Sequence, residues 1–167
     1  MSQASLEVQF REAYHMYAKR LFNTALRIVT RTEDAEDILQ ESFLEAFRNL
    51  QTFEGRASMG SWLHRIVVNR SVNLLKSRRI ILTDPAPDMA GDDYTDDDLA
   101  DLTLQVEQIK KALAQLPDGY RTVLTLHLFE GYDHEEIATV LGIAPVSVRS
   151  QYHRARNSLL KIIRQTT

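Results

Sequence analysis

Residues 80–101 carry eight aspartates, Pro85, Pro87 and Gly91, and not one lysine or arginine. No single hydrophobic core can run through such a stretch, because it has too little apolar surface to offset the entropy of ordering it. The most polar part, Leu82 to Asp101, is therefore expected to be a flexible or extended tether, and the domain boundary falls inside it. This predicts one domain over residues 1–81, a linker over 82–101 and a second domain over 102–167. At 167 residues the chain has enough apolar content for two modest cores.

The tether also accounts for the charge. The net charge of −3 is wrong for a nucleic-acid binder only until the charges are placed along the chain. Residues 1–79 sum to +3, residues 80–101 to −8 and residues 102–167 to +2. Two mildly basic modules thus flank an acidic connector, an asymmetry that a global isoelectric point hides. Neither module shows strand-like alternation of useful length, so both are expected to be all-α.

In the first module, Phe10, Tyr14, Tyr17, Leu21, Phe22, Ala25 and Ile28 recur at threes and fours, predicting one long helix from about Leu6 to Val29. Thr32 is the expected N-cap of a second helix, with Glu33, Asp34 and Glu36 where carboxylates suit the helix dipole. Its apolar stripe is Ile38, Leu39, Phe43, Phe47 and Leu50. From Glu33 to Ala46 there are six carboxylates and no cation. That face is either solvated or a docking surface for a basic partner. The loop FEGRASMGSW, with Ser58 as a cap, then leads into a third helix over about 61–79. No acid occurs from Ala57 to Thr83, while Arg65, Arg70, Lys76, Arg78 and Arg79 accompany Asn69 and Asn73. Trp62 is expected in the core rather than as a platform for a base. Amides read base edges and guanidiniums hold phosphates, and a glycine-containing loop leaves room for an extruded base.

In the second module, Leu102 to Leu116 and Pro117 to Phe129 are expected helices, with Gly131 ending the second. The segment DHEEIATVLGIAPVSVRSQYHRAR then has the signals of a helix-turn-helix. Asp133 with Glu136 makes a capping box, Ile137, Ala138 and Leu141 face inward, Gly142 supplies the turn and Pro145 restarts the helix. Val148, Tyr152, Ala155, Leu159 and Ile162 form the inner stripe of the second helix. Its other face carries Arg149, Ser150, His153, Arg154 and Asn157, with no acid from Ala144 to Thr167. Arginine beside serine and asparagine at helical spacing suits base edges and phosphates in a major groove.

These residues resemble the bacterial RNA polymerase sigma factors of the sigma-70 family, specifically the two-domain extracytoplasmic-function (ECF) group. DAEDILQESFLEAFRNL is similar to the region-two helix that docks on the clamp coiled coil of the polymerase β′ subunit, which implies polymerase contacts at Asp34, Asp37 and Glu41. FEGRASMGSWLHRIVVNRSVNLLKSRR resembles the loop and helix that open the minus-ten element. The resemblance puts Arg65, Asn69 and Asn73 against that element and makes Glu54 to Ser58, including Arg56, a base-capturing loop. The C-terminal half resembles region four, and Arg149, Ser150, His153 and Arg154 would contact the minus-thirty-five duplex. The implied architecture is a three-helix region-two domain and a region-four helix-turn-helix domain on the acidic linker. The implied partners are core RNA polymerase (β′ clamp and β subunits), promoter DNA and an anti-sigma factor. The linker would lie in the cationic channel by which nascent RNA leaves. Many members have Asp where Asn73 stands, and Arg or Lys where Gln151 stands.

A helix-turn-helix regulator acting without polymerase is the alternative; it leaves the acidic face and the Asn-bearing helix idle. An enzyme finds only Asp92-Asp93-Tyr94-Thr95-Asp96, the DDxxD spacing of magnesium-dependent prenyl transfer, which needs a helix over a deep apolar cavity and here falls in the tether. The five histidines have no ligand spacing, and the absence of cysteine excludes disulfides and thiolate zinc sites. No cofactor, metal or catalytic residue is therefore expected. The polar N-terminus and the lack of a long apolar run predict a cytoplasmic protein without membrane insertion.

Overall fold

A computed structural model describes residues 2–78 and 106–166. The tether, its DDxxD run and the start of the helix expected from Leu102 lie outside the described residues. Among the described residues there is no strand. Contacts divide the chain into two compact units, Met1–Leu74 and Leu75–Thr167.

In the first unit α1 spans Gln3–Val29. Ser2 caps it by accepting the Ser5 N–H at 3.2 Å, and Leu6, Ala13, Leu21, Ala25 and Ile28 form its buried stripe. The helix ends at Thr30, which adopts φ +68° and sends its N–H to the Leu26 carbonyl. α2 follows over Thr32–Arg48. The N-cap position belongs to Arg31, which makes no side-chain cap, so Thr32 is the first helical residue rather than the cap expected. Glu33 and Asp34 still stabilise that end through the helix dipole. A short 3₁₀ turn, Leu50–Thr52, drops Leu50 into the core.

α3 spans Met59–Ser77 and is capped by Ser58, whose Oγ accepts the Ser61 N–H at 3.1 Å. Leu63, Val67, Val68 and Val72 are fully buried against the unit, each contributing on the order of 1.5–3 kcal/mol. The close approach of α3 to α1 depends on Gly60. A Cβ there would stand 2.7 Å from Tyr17 Cζ, inside van der Waals contact.

In the second unit α4 is Val106–Ala114 and α5 is Asp118–Leu124. α5 runs on as a π-helical turn, Thr125–Phe129, closed by Glu130 N–H to the Thr125 carbonyl at 3.1 Å. Periodicity over 117–129 cannot distinguish this wider winding from an α-helix. Arg121 is 4 % exposed; its Nη1 donates to the Leu116 carbonyl at 3.2 Å and its Nη2 pairs with Asp118, so one guanidinium ties the end of α4 to the start of α5. Gly131, at φ +74°, ends the segment.

α6 spans His134–Leu141 with the complete capping box expected. Asp133 Oδ1 accepts from Glu136 N–H at 2.8 Å, and Glu136 Oε1 accepts from Asp133 N–H at 3.2 Å. Gly142 closes it at φ +71°. α7 runs over Pro145–Thr166. Val148, Tyr152, Ala155 and Leu159 are buried as the pattern requires, but Ile163 rather than Ile162 continues the stripe. A straight helix at 3.6 residues per turn drifts away from a strict alternation of threes and fours.

Candidate nucleic-acid and polymerase interfaces

On α3, Arg65, Asn69 and Asn73 are all exposed and stand four residues apart, which stacks them along one face. The core residues Leu63, Val67 and Val72 occupy the opposite side, so the polar face is held by burial rather than by contacts of its own. The preceding loop turns at Gly55, φ +76°, and presents Arg56 with its Nε 3.1 Å from Glu54. Both partners of that pair are largely exposed, and such a pair yields readily to a phosphate. Trp62 is half-buried and packs on Phe53 with ring centroids 5.2 Å apart, in keeping with a structural role.

The acidic face of α2 is less bare than its sequence. Arg70 of α3 donates from Nη1 to Glu41 at 3.0 Å and from Nη2 to Glu45 at 3.4 Å. Arg70 therefore belongs to the α2–α3 seam and not to the cationic face of α3. Asp34 is half-buried and Asp37 exposed. Beside them Phe10, Tyr14, Leu39, Gln40, Phe43, Leu44 and Phe47 line an apolar groove of about 450 Å³. Its rings interlock: Phe10 lies 5.8 Å from Phe43 edge-on, and Tyr14 lies 4.8 Å from Phe43. Phe47, expected in the core stripe, is 52 % exposed. Among the described residues, the groove is lined by side chains of α1 and α2 alone.

On α7, Arg149, Ser150 and His153 are exposed, with Arg154 and Asn157 half-buried beside them. Ser150 directs its hydroxyl hydrogen to the Val146 carbonyl at 3.2 Å, which leaves its oxygen an acceptor. Arg156 Nη2 lies 2.9 Å from His153 Nδ1, and Asn157 Nδ2 lies 3.4 Å from His153 Nε2. Beneath, the Tyr152 ring packs against His127 at 4.8 Å and His134 at 5.0 Å. Arg156 falls outside the residues that the sequence pattern singles out; its spacing of three from His153 is what brings the two side chains together. Among the described residues no helix is long and apolar enough to cross a membrane, and no cluster of His, Asp or Glu could hold a metal ion.

An exposed amide-bearing helix behind a glycine loop in one unit, and a capped helix-turn-helix with an acid-free outer helix in the other, are the arrangement of a two-domain transcription factor. Residues 13–80 match the family described as Sigma-70 region 2, and residues 106–159 match Sigma-70, region 4. The chain is 32% identical over 158 residues to the RNA polymerase sigma-H factor of Pseudomonas aeruginosa, covering 88% of this chain and 82% of that protein. It is 34% identical over 158 residues to the ECF RNA polymerase sigma factor SigM of Mycobacterium tuberculosis, covering 92% and 76%. Its fold is similar to that of the sigma factor RpoE solved with the anti-sigma factor NepR from Bartonella quintana, with a TM-score of 0.62, 22% identity and coverage of 93% and 96%. The chain belongs to the sigma-70 family, in its ECF group. It is a sigma factor, which joins core RNA polymerase and directs initiation at promoters.

Proposed function

We propose that the two units divide promoter recognition by strand state. Arg149, Ser150, His153, Arg154 and Asn157 read the minus-thirty-five element as duplex. Arg65, Asn69, Asn73 and Arg56 hold the minus-ten element as it opens. The observation that carries this reading is the pair of exposed polar faces, α3 with amides at spacing four and α7 with no acid along its length. A regular cationic helix fits a duplex groove, whereas amides behind a turned loop suit unpaired bases.

Asp34, Asp37 and Glu41 dock on core polymerase, with the adjoining apolar groove adding buried area to a charge-steered contact. The same surface is suited to an anti-sigma factor, which would then exclude polymerase by competition. The protein acts by binding alone, in the cytoplasm, with residues 1–81 and 102–167 as its working domains and 82–101 joining them. Run-off transcription from genomic DNA with core polymerase, with and without the protein, tests the scheme. Specific start sites that appear only with the protein, preceded by a constant pair of elements, are the expected result. Tight duplex binding without core and no new start sites would favour the regulator that acts apart from polymerase.

A further inference from the structure

The contact between Arg156 and His153 bears on which hydrogen-bonding group His153 offers. A guanidinium has donors only, so an Arg156 Nη2 at 2.9 Å from His153 Nδ1 requires that Nδ1 accept. A neutral ring whose Nδ1 accepts must carry its hydrogen on Nε2. The Asn157 Nδ2, 3.4 Å from Nε2, is a donor at the outer limit of hydrogen bonding, so an Nε2–H ring is satisfied there only once the amide rotates by half a turn to bring its oxygen to the ring. That contact is long enough for the same N–H to be shared with a further acceptor.

Arg156 is itself held. Its guanidinium carbon lies 5.8 Å from the Tyr152 ring centre, within cation–π range, and Tyr152 is buried against His127 and His134. The chain of support runs from the core outward: the buried Tyr152 fixes Arg156, Arg156 fixes the tautomer of His153, and His153 presents Nε2–H on the exposed face of α7.

We propose that Arg156 is a positioning residue that makes His153 a base-reading donor, so that α7 selects an acceptor edge at one base pair. This rests on the reading of α7 as the duplex-contacting helix. Guanine, with N7 and O6 both accepting in the major groove, satisfies such a donor best, and cytosine, which shows only its amino donor there, is rejected. Ser150, with its hydrogen directed to Val146, is the complementary acceptor one turn away.

The test uses the full chain in two measurements. Imidazole nitrogen NMR of the free protein reports the tautomer of His153, with wild type and Arg156→Met compared; methionine keeps the apolar stem over Tyr152 and removes the donor. Holoenzyme binding to duplexes randomised across the upstream element then reports base preference for wild type, His153→Ala, Arg156→Met and Arg149→Ala. The expected result is an Nε2–H tautomer that Arg156→Met redistributes, and a preference of roughly fivefold or more for guanine over cytosine at one pair, flattened by both His153→Ala and Arg156→Met. An Nδ1–H tautomer in wild type, or a preference untouched by Arg156→Met, overturns the proposal while Arg149→Ala still reports whether α7 reads duplex. Undiminished binding by Arg149→Ala and His153→Ala together would remove α7 from the duplex and the proposal with it.

Discussion

Arg70 of α3 holds Glu41 of α2 at 3.0 Å, so one of the three carboxylates assigned to polymerase docking is also an internal brace. The two roles separate by substitution. Asp37→Lys changes an exposed side chain and is expected to weaken core polymerase binding several-fold with an unchanged melting temperature. Glu41→Lys is expected to weaken binding and also to lower stability, by at most about 1 kcal/mol because both partners are partly exposed. Pull-down of core with parallel thermal melts checks both, and wild-type retention of core by Asp37→Lys would remove the acidic face from docking.

Gly60→Ala should destabilise the first unit by about 1 kcal/mol, since the new methyl would stand 2.7 Å from Tyr17 Cζ and the half-buried ring must shift to admit it. Combining it with Tyr17→Leu should recover part of that loss. A double-mutant cycle by denaturant unfolding measures the coupling, and strict additivity would mean that the helices adjust without strain.

Asp133→Ala removes the acceptor of the α6 capping box and is expected to cost about 1 kcal/mol, with Asp133→Asn close to wild type. The exposed polar residues of α7 are untouched by either change. Equal stability of the alanine and asparagine variants in chemical denaturation would show that the cap contributes nothing.

Asn69→Ala and Asn73→Ala should each weaken promoter opening by about 1 kcal/mol while leaving polymerase binding intact, because each removes one hydrogen-bonding amide from an exposed face. Permanganate footprinting of the melted region reads this directly. Unchanged reactivity in both variants on a linear promoter would take α3 away from the minus-ten element.

Arg149→Ala and Arg154→Ala should each cost about 1–3 kcal/mol of binding to the upstream element, with circular dichroism unchanged. Arg149 is exposed and Arg154 half-buried, so any loss of fold would show first in the latter. Full activity of both variants at a promoter that depends on its upstream element would contradict the assignment.

The local signals of this chain were legible without coordinates. Ser58 before α3, the Asp133 and Glu136 box, Gly131 and Gly142 at helix ends and Pro145 at a helix start all act within about one turn, over distances that sequence spacing fixes. Leu21, Ala25 and Ile28 of α1 and Val148, Tyr152, Ala155 and Leu159 of α7 are buried as the 3.6-residue period requires, whereas Phe10, Tyr17 and Phe22 are only half-buried; the split of charge along the chain follows from counting. What lay beyond reach acts between residues far apart in sequence. Arg70 and Glu41 stand 29 positions apart, and nothing in either neighbourhood marks the pair, so an arginine counted on the cationic face is in fact the partner of the acidic one. Phe47 and Tyr14 keep helical register with the core yet remain open to solvent, because periodicity specifies a face and only the packing of neighbouring helices decides whether that face is covered. Arg121, charged and almost wholly buried, is accommodated by Asp118 and the Leu116 carbonyl, groups that meet it only once the turn around Pro117 has folded. Helix, cap and turn are properties of neighbours in sequence; burial and ion pairing are properties of neighbours in space, and only the folded chain determines which residues those are.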